Sequence, residues 1–79
     1  KGGWFSMWIR SKDKKMLVSP RAIYVDVLDD GQVTLVCTTD ECSDLFVLGH
    51  YACEEDAVRE LDAIIRWIEL GSSTLVYHI

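Results

Sequence analysis

Four residues of the types that bind zinc lie in the middle of the chain: Cys37, Cys42, His50 and Cys53. Zinc fingers and zinc ribbons hold the ion with closely spaced ligand pairs, most often Cys-x-x-Cys. No such pair is present, and His50 with Cys53 makes a single His-x-x-Cys. Cys37 belongs to an apolar run, where a thiol commonly packs as a small hydrophobic group. The spacing therefore predicts neither a metal site nor a bound cofactor.

Cys53 and His50 could also form a nucleophile and its general base. A cysteine at a helix N-terminus has its thiolate favoured by the helix dipole. Here Glu54, Glu55 and Asp56 follow immediately, and their negative charges oppose thiolate formation. No third residue that would orient the histidine is evident. The sequence therefore predicts that the protein is not an enzyme.

Positive charge is concentrated near the start of the chain, beside Trp8. Arg10 and Lys12 are followed closely by Lys14 and Lys15. Aromatic and basic side chains together can hold a nucleotide or single-stranded nucleic acid, although the charged tip of a hairpin is the commoner explanation. As an alternative function, we keep a small-ligand or nucleotide site between helix and sheet, with Trp8, Arg10 and Lys12 at its rim.

The element around which these residues are arranged is one amphipathic helix, predicted over about 54–70. Its acidic first turn complements the helix dipole, and Gly71 ends it as a left-handed cap residue. Trp67 lies off the main apolar stripe, so it either extends the core at the end of the helix or marks a protein contact. The predicted buried stripe consists of Ala57, Val58, Leu61, Ile64, Ile65 and Ile68.

Short apolar runs on either side of the helix predict β-strands. Asp30 and Gly31 lie between two β-branched runs, which is the strongest hairpin signal in the chain. The predicted fold class is α+β: a curved antiparallel β-meander of about five strands, one amphipathic helix and a closing C-terminal strand. We expect a single domain over residues 1–79. The runs lie at 8–11, 16–19, 22–28, 33–39 and 45–51, with the closing run at 74–79.

Both faces of the predicted sheet are apolar. A single helix covers one face, and the other would expose a larger apolar patch than soluble monomers usually carry. Either the sheet coils into a half-barrel or two copies pack face to face. The residues predicted to make the protein contact are Trp67, Tyr24, Phe46 and Val36.

The composition narrows the classes of partner. A formal net charge of −5 argues against nucleic acid and against an anionic membrane surface. No apolar run reaches the length of about 20 residues that spans a bilayer. Three cysteines cannot all pair within one chain, so reduced thiols in the cytoplasm are the default. We expect a homodimer or a complex with another protein.

The first six residues look unlike the rest of the chain. Lys-Gly-Gly is what a ribosome-binding site gives when it is translated in frame, and Met7 follows at a suitable distance. We therefore expect that Met7 is the natural start and that residues 1–6 are a translated leader. An artificial extension and a true first strand are the alternatives.

Two short motifs resemble a group of small uncharacterised proteins from Firmicutes and their phages. Residues 7–11 read Met-Trp-Ile-Arg-Ser, and residues 48–51 carry a Leu-Gly-x-Tyr motif that precedes an acidic, Ala-rich helix. This chain departs from the group in having Cys53 where the group tends to have Ser. The resemblance implies a phage or mobile-element setting and the same strand and helix layout. It implies no activity and no functional residues.

The sequence thus predicts a small protein that works by association and not by catalysis. Its partner would be a second copy or a host or phage protein, bound through the apolar sheet face and Trp67. The alternative is the small-ligand or nucleotide site described above.

Overall fold

The computed structural model describes residues 7–40, 44–71 and 76–79. The α+β class, the single helix and the C-terminal strand that the sequence predicts are confirmed. The expected leader over residues 1–6 and the candidate ligand Cys42 lie outside the described residues. In chain order the elements are β1 (Trp8–Arg10), β2 (Leu17–Val18), β3 (Ala22–Val27), β4 (Val33–Thr38), β5 (Phe46–Tyr51), α1 (Glu54–Glu69) and β6 (Val76–His78).

The strands form two three-stranded sheets and not one continuous meander. The N-terminal sheet has the order β2–β1–β6, and the central sheet has the order β3–β4–β5. All pairs are antiparallel except β1 with β6, which is parallel because the chain crosses over through α1 before β6 begins. The sheets separate between β2 and β3, where Pro20 has no backbone N–H to donate to a ladder.

The turn between β1 and β2 is held by two polar side chains. The buried Ser11 hydroxyl donates to Oδ1 of Asp13 at 2.6 Å and accepts the Met16 N–H at 3.1 Å. Asp13 also accepts the Lys15 N–H at 3.0 Å. These hydrogen bonds favour the ionised carboxylate, and they lower the pKa of Asp13 below its ordinary value. The charged cluster that the sequence places between the two runs is therefore a structured hairpin tip.

The two sheets and the helix enclose one hydrophobic core. Beyond β1, the Lys12 N–H donates to the carbonyl of Leu48 at 2.7 Å, which joins the N-terminal sheet to β5. On the other side, α1 packs across β3, β4 and β5. The inner face of the central sheet is thereby covered by the helix and by the N-terminal sheet. The buried core residues are Ile9, Val18, Leu35, Cys37, Leu48 and Ile64.

The ends of the helix agree with its sequence signals. Cys53 occupies the N-cap in extended conformation without a side-chain capping bond, and the acidic first turn follows it. At the C-terminal end, Gly71 has φ of 63° and donates its N–H to the carbonyl of Ile68 at 3.1 Å. This left-handed residue is the predicted stop signal.

Candidate protein-interaction site

Three apolar residues lie side by side across the outer face of the central sheet. The register pairs Tyr24 with Val36 and Val36 with Val47, so all three point to the same face. Val36 in the middle strand is 3% exposed, whereas Tyr24 and Val47 at its sides are 42% and 44% exposed. We call these three residues the outer row. It brings together Tyr24 and Val36, two of the residues that the sequence predicts for a protein contact.

Phe46, also predicted for that contact, lies on the opposite face. It pairs with the buried Cys37 and packs against the core, so Val47 takes the place expected for it in the outer row. The alternation along β5 identifies two sets of residues but does not say which set faces the core. In addition, a register shift occurs between Leu35 and Val36: Val36 pairs with Val47, whereas Leu35 pairs with Gly49.

Trp67 is half-buried and packs on β6. The centroids of the Trp67 and Tyr77 rings are 5.4 Å apart, with the ring planes tilted by 59°. Aromatic pairs favour such a tilted contact. Of the two roles considered for Trp67, this contact favours the extension of the core, because Tyr77 itself packs against the core.

The helix is rotated about its axis relative to the predicted buried stripe. Ala57 and Ile64 are buried, but Val58, Ile65 and Ile68 remain between 40% and 46% exposed. The rotation follows from polar and aromatic contacts on the side towards β6, where Tyr77 contacts both Glu60 and Trp67. The prediction that Val58, Ile65 and Ile68 are buried is therefore wrong. We call Val58 and Ile65, which lie two turns apart on one side of α1, the helix flank.

β3 borders the central sheet on one side. Among the described residues it pairs with β4 alone, along its whole length from Ala22 to Val27. Its residues are mostly β-branched or aromatic, and Tyr24 and Val27 are substantially exposed. An apolar strand with an open edge is a template for pairing with another strand. The sequence signal for β3 is clear, but nothing in it shows that β3 lies at an edge.

Comparison with protein-family models, with curated proteins and with solved structures finds no match to this chain. No helix among the described residues is both long and apolar enough to cross a bilayer.

A polar cluster lies between α1 and the two sheets. Tyr77 donates its hydroxyl hydrogen to Oε2 of Glu60 at 2.7 Å, and within the described ranges the buried Tyr51 hydroxyl has no hydrogen-bond partner. Burial, with a further contribution from Glu60, raises the pKa of Tyr51 and of Tyr77 to about 12. Both phenols therefore stay protonated near neutral pH, where neither suits general base catalysis.

The three residues considered for a ligand rim do not form one site. Trp8 and Arg10 share the outer face of β1. Lys12 is turned away to the central sheet, where its Nζ donates to the carbonyl of His50 at 2.8 Å and lies 4.2 Å from the centroid of the Tyr51 ring. Lys12 therefore ties the two sheets together.

Arg10 instead borders a shallow groove on the outer surface. The groove measures about 340 Å³ and has a basic wall around an apolar floor. Arg10 itself is held by a hydrogen bond from its Nε to the carbonyl of Lys14 at 3.2 Å. The lining residues are Arg10, Lys14, Lys15, Met16, Leu17, Val76 and His78.

The described cysteines have different surroundings. Cys37 is buried, and burial raises the pKa of its thiol, whereas Cys53 is exposed at the start of α1. In ranges 7–40, 44–71 and 76–79, no three histidine, cysteine or acidic side chains are grouped as a metal site requires.

Proposed function

We propose that this protein acts by self-association, without catalysing a reaction, and that its functional form is a homodimer. The observation that carries the proposal is the apolar strand β3, which among the described residues pairs with β4 alone. Tyr24 and Val27 on the strand and the helix flank, Val58 and Ile65, are each at least 40% exposed. An apolar edge strand with exposed side chains is a template for pairing with a strand of a second copy.

The chemistry of the described side chains supports a binding role over a catalytic one. The two phenols with strongly raised pKa values lie inside the fold and remain neutral. The exposed Cys53 lies at the N-cap of α1, directly before three acidic residues in the first helical turn. Cys37, the other described thiol, is enclosed by the core.

Light scattering across a dilution series of the reduced protein tests self-association. We expect a molar mass twice the 9.0 kDa of the chain at high concentration, falling towards 9.0 kDa on dilution. Reducing conditions exclude a disulfide-linked dimer, and Cys53→Ser removes the exposed thiol at the start of α1. A mass of one chain at every concentration would contradict the proposal.

A matched pair of substitutions on α1 then asks whether the apolar helix flank takes part. Ile65→Lys places a charge on the flank, and Ala63→Lys places the same charge on an exposed position elsewhere on the helix. Both make the acidic chain less negative, so neither weakens a dimer by adding to the net repulsion. We expect Ile65→Lys to dissociate the dimer and Ala63→Lys to leave it intact.

A second candidate function is the binding of a small anionic ligand, such as a nucleotide, in the groove beside Arg10. It is supported by the basic wall that Arg10, Lys14 and Lys15 form above the apolar floor. A nucleotide ligand would raise the melting temperature as its concentration rises. The shift should be lost in an Arg10→Ala, Lys15→Ala double variant.

We further propose that the protein acts in the cytoplasm in a phage or mobile-element setting. The resemblance of residues 7–11 and of the Leu-Gly-x-Tyr motif to Firmicutes and phage proteins supports the setting. The odd number of cysteines supports a reducing compartment. Fractionation of cells that express the protein from its native gene tests the location.

A further inference from the structure

We infer that the two copies pair through their β3 strands, edge to edge and antiparallel, with the two-fold axis at Val25. This inference rests on the self-association proposed above and specifies its interface. Pairing of this kind would join two central sheets into one continuous sheet of twice the width. In this arrangement the β3 edge of one copy contacts the β3 edge of the other, as a two-fold symmetric interface requires.

The main-chain groups of β3 that face the open edge follow from its pairing with β4. Leu28 donates its N–H to the carbonyl of Gln32 at 2.8 Å, and this bond closes the β3–β4 hairpin. In an antiparallel pair, residues bonded to the neighbouring strand alternate with residues whose N–H and C=O point away. Counting back from Leu28, the groups of Ile23, Val25 and Val27 point to the open edge.

One antiparallel register satisfies all of these groups. When the two-fold axis lies at Val25, Val25 pairs with Val25 of the second copy, and Ile23 pairs with Val27 of the second copy. Every pair then consists of two residues whose N–H and C=O groups point to the open edge, so the two residues can exchange hydrogen bonds. A register centred on Tyr24 would instead place Val27 opposite Arg21, whose N–H already donates to the carbonyl of Thr38. The Val25 register also places apolar residues opposite one another on the inner face of the joined sheet.

The charges at the ends of β3 complement one another in this register. Arg21 and Asp29 lie just outside the two ends of β3. The register brings Arg21 of each copy near Asp29 of the other, which gives two opposite-charge contacts across the interface. Both residues are exposed. Within its own chain Arg21 lies 3.7 Å from Asp40, and an exposed pair at that distance holds it only weakly. The guanidinium is therefore free to turn towards the second copy.

The helix flank is on the side of α1 that faces away from the N-terminal sheet. The N-terminal sheet joins the central sheet at β5 through Lys12, and the side of α1 that meets Tyr77 faces that sheet. Val58 and Ile65 project from the opposite side of α1, which packs on β3 as well as on β4 and β5. Edge pairing would bring the two helix flanks near each other and remove their apolar side chains from water.

Proline at Val27 is the most selective change for testing the hydrogen bonds. Val27→Pro removes an N–H that faces the open edge and leaves the N–H groups that bond to β4 in place. Val27→Ala shortens the same side chain but keeps the N–H. We expect the dimer dissociation constant to rise at least about tenfold more for Val27→Pro than for Val27→Ala, because only the proline also removes the hydrogen bond. Equal dissociation constants for the two variants would overturn the inference.

A charge exchange tests the register separately. Arg21→Asp and Asp29→Lys should each weaken the dimer about tenfold, because each replaces two attractions with two repulsions. The double variant restores opposite charges and should return the dissociation constant to within about threefold of wild type. Additive weakening in the double variant would mean that Arg21 and Asp29 do not face each other.

Hydrogen exchange of the wild-type protein tests the β3 edge pairing without any substitution. In concentrated samples the amides of Ile23, Val25 and Val27 should be protected, and dilution should expose them. The amides of Tyr24 and Asp26, which bond to β4, should stay protected at both concentrations. A wild-type monomer at all concentrations would refute self-association itself. A wild-type dimer whose β3 edge amides exchange freely would refute only the edge pairing.

Discussion

The hydroxyl of Tyr77 donates to Oε2 of Glu60 at 2.7 Å, and this bond fixes β6 against α1. Because the acceptor is a charged, partly buried carboxylate, Tyr77→Phe should lower the free energy of unfolding by about 1.5–2 kcal/mol. Tyr24→Phe removes the same atom from an exposed ring and should change it by less than about 0.5 kcal/mol. Urea denaturation of both variants is the measurement, and equal stabilities would contradict this prediction.

Alkaline pH should destabilise the protein through the same cluster. The pKa values of Tyr51 and Tyr77 are raised to about 12 in the folded protein, first by burial, so the unfolded chain releases these protons more easily. The stability that the neutral phenols contribute is complete below pH 10 or so and is lost as the pH rises through about 12. Tyr24→Phe leaves Tyr51 and Tyr77 as the remaining tyrosines, and the phenolate absorbance of this variant reports their ionisation directly. An ionisation midpoint near pH 10 for Tyr51 and Tyr77 would contradict this prediction.

The rotation of α1 explains why the sequence identified the helix but not its buried side. The apolar spacing correctly predicts a helix with Val58 and Ile65 near one side of it. It does not predict which part of the apolar stripe is buried. The orientation is set instead by Glu60 and Trp67, which Tyr77 draws towards β6. This contact joins residues far apart in the chain, and a helical period carries no information about it.

The sheet register shows the same division between local and distant signals. The Asp30-Gly31 turn is local, so it predicts the β3–β4 hairpin, and with it the neighbouring positions of Tyr24 and Val36. The alignment of β5 depends on a longer connection and on the register shift beside Leu35. The sequence therefore predicts Phe46 for the protein contact, whereas Val47 lies beside Val36 in its place. The open edge of β3 depends on where the sheet ends, which no local pattern contains.

Gly49 gives the Leu-Gly-x-Tyr motif a structural reason. A Cβ atom at Gly49 would lie 3.0 Å from Cβ of Lys12 and 3.2 Å from Cε1 of Tyr51. Glycine therefore leaves room for the lysine to lie over the tyrosine ring. Gly49→Ala should cost about 1–3 kcal/mol of stability through overpacking.

A double-mutant cycle tests that crowding. Lys12→Ala alone should cost about 1 kcal/mol, because it removes the contact with the ring and the hydrogen bond to His50. It also frees the space beside Gly49, so the double variant Lys12→Ala, Gly49→Ala should lose less stability than the two single variants together. Strictly additive losses would show that the two sites are independent.

Trp67 should matter for stability and not for association. Its ring is half-buried against Tyr77, so Trp67→Ala should cost about 2 kcal/mol, less than for a fully buried tryptophan. Trp67→Phe keeps an aromatic contact and should recover part of that loss. Light scattering under conditions where both variants are folded should give the wild-type mass. Unchanged stability together with a lower mass would instead make Trp67 an interface residue.

The thiols of Cys53 and Cys37 should differ sharply in reactivity. Cys42→Ser leaves these two cysteines, one exposed and the other fully enclosed by the core. Cys53 should react with a thiol reagent as soon as the two are mixed. Cys37 is closed to the reagent, and burial raises the pKa of its thiol, so it should react only when the fold opens. Its labelling rate should therefore increase with denaturant in step with global unfolding, and rapid labelling of both thiols in native buffer would show that β4 is not held in the core as described.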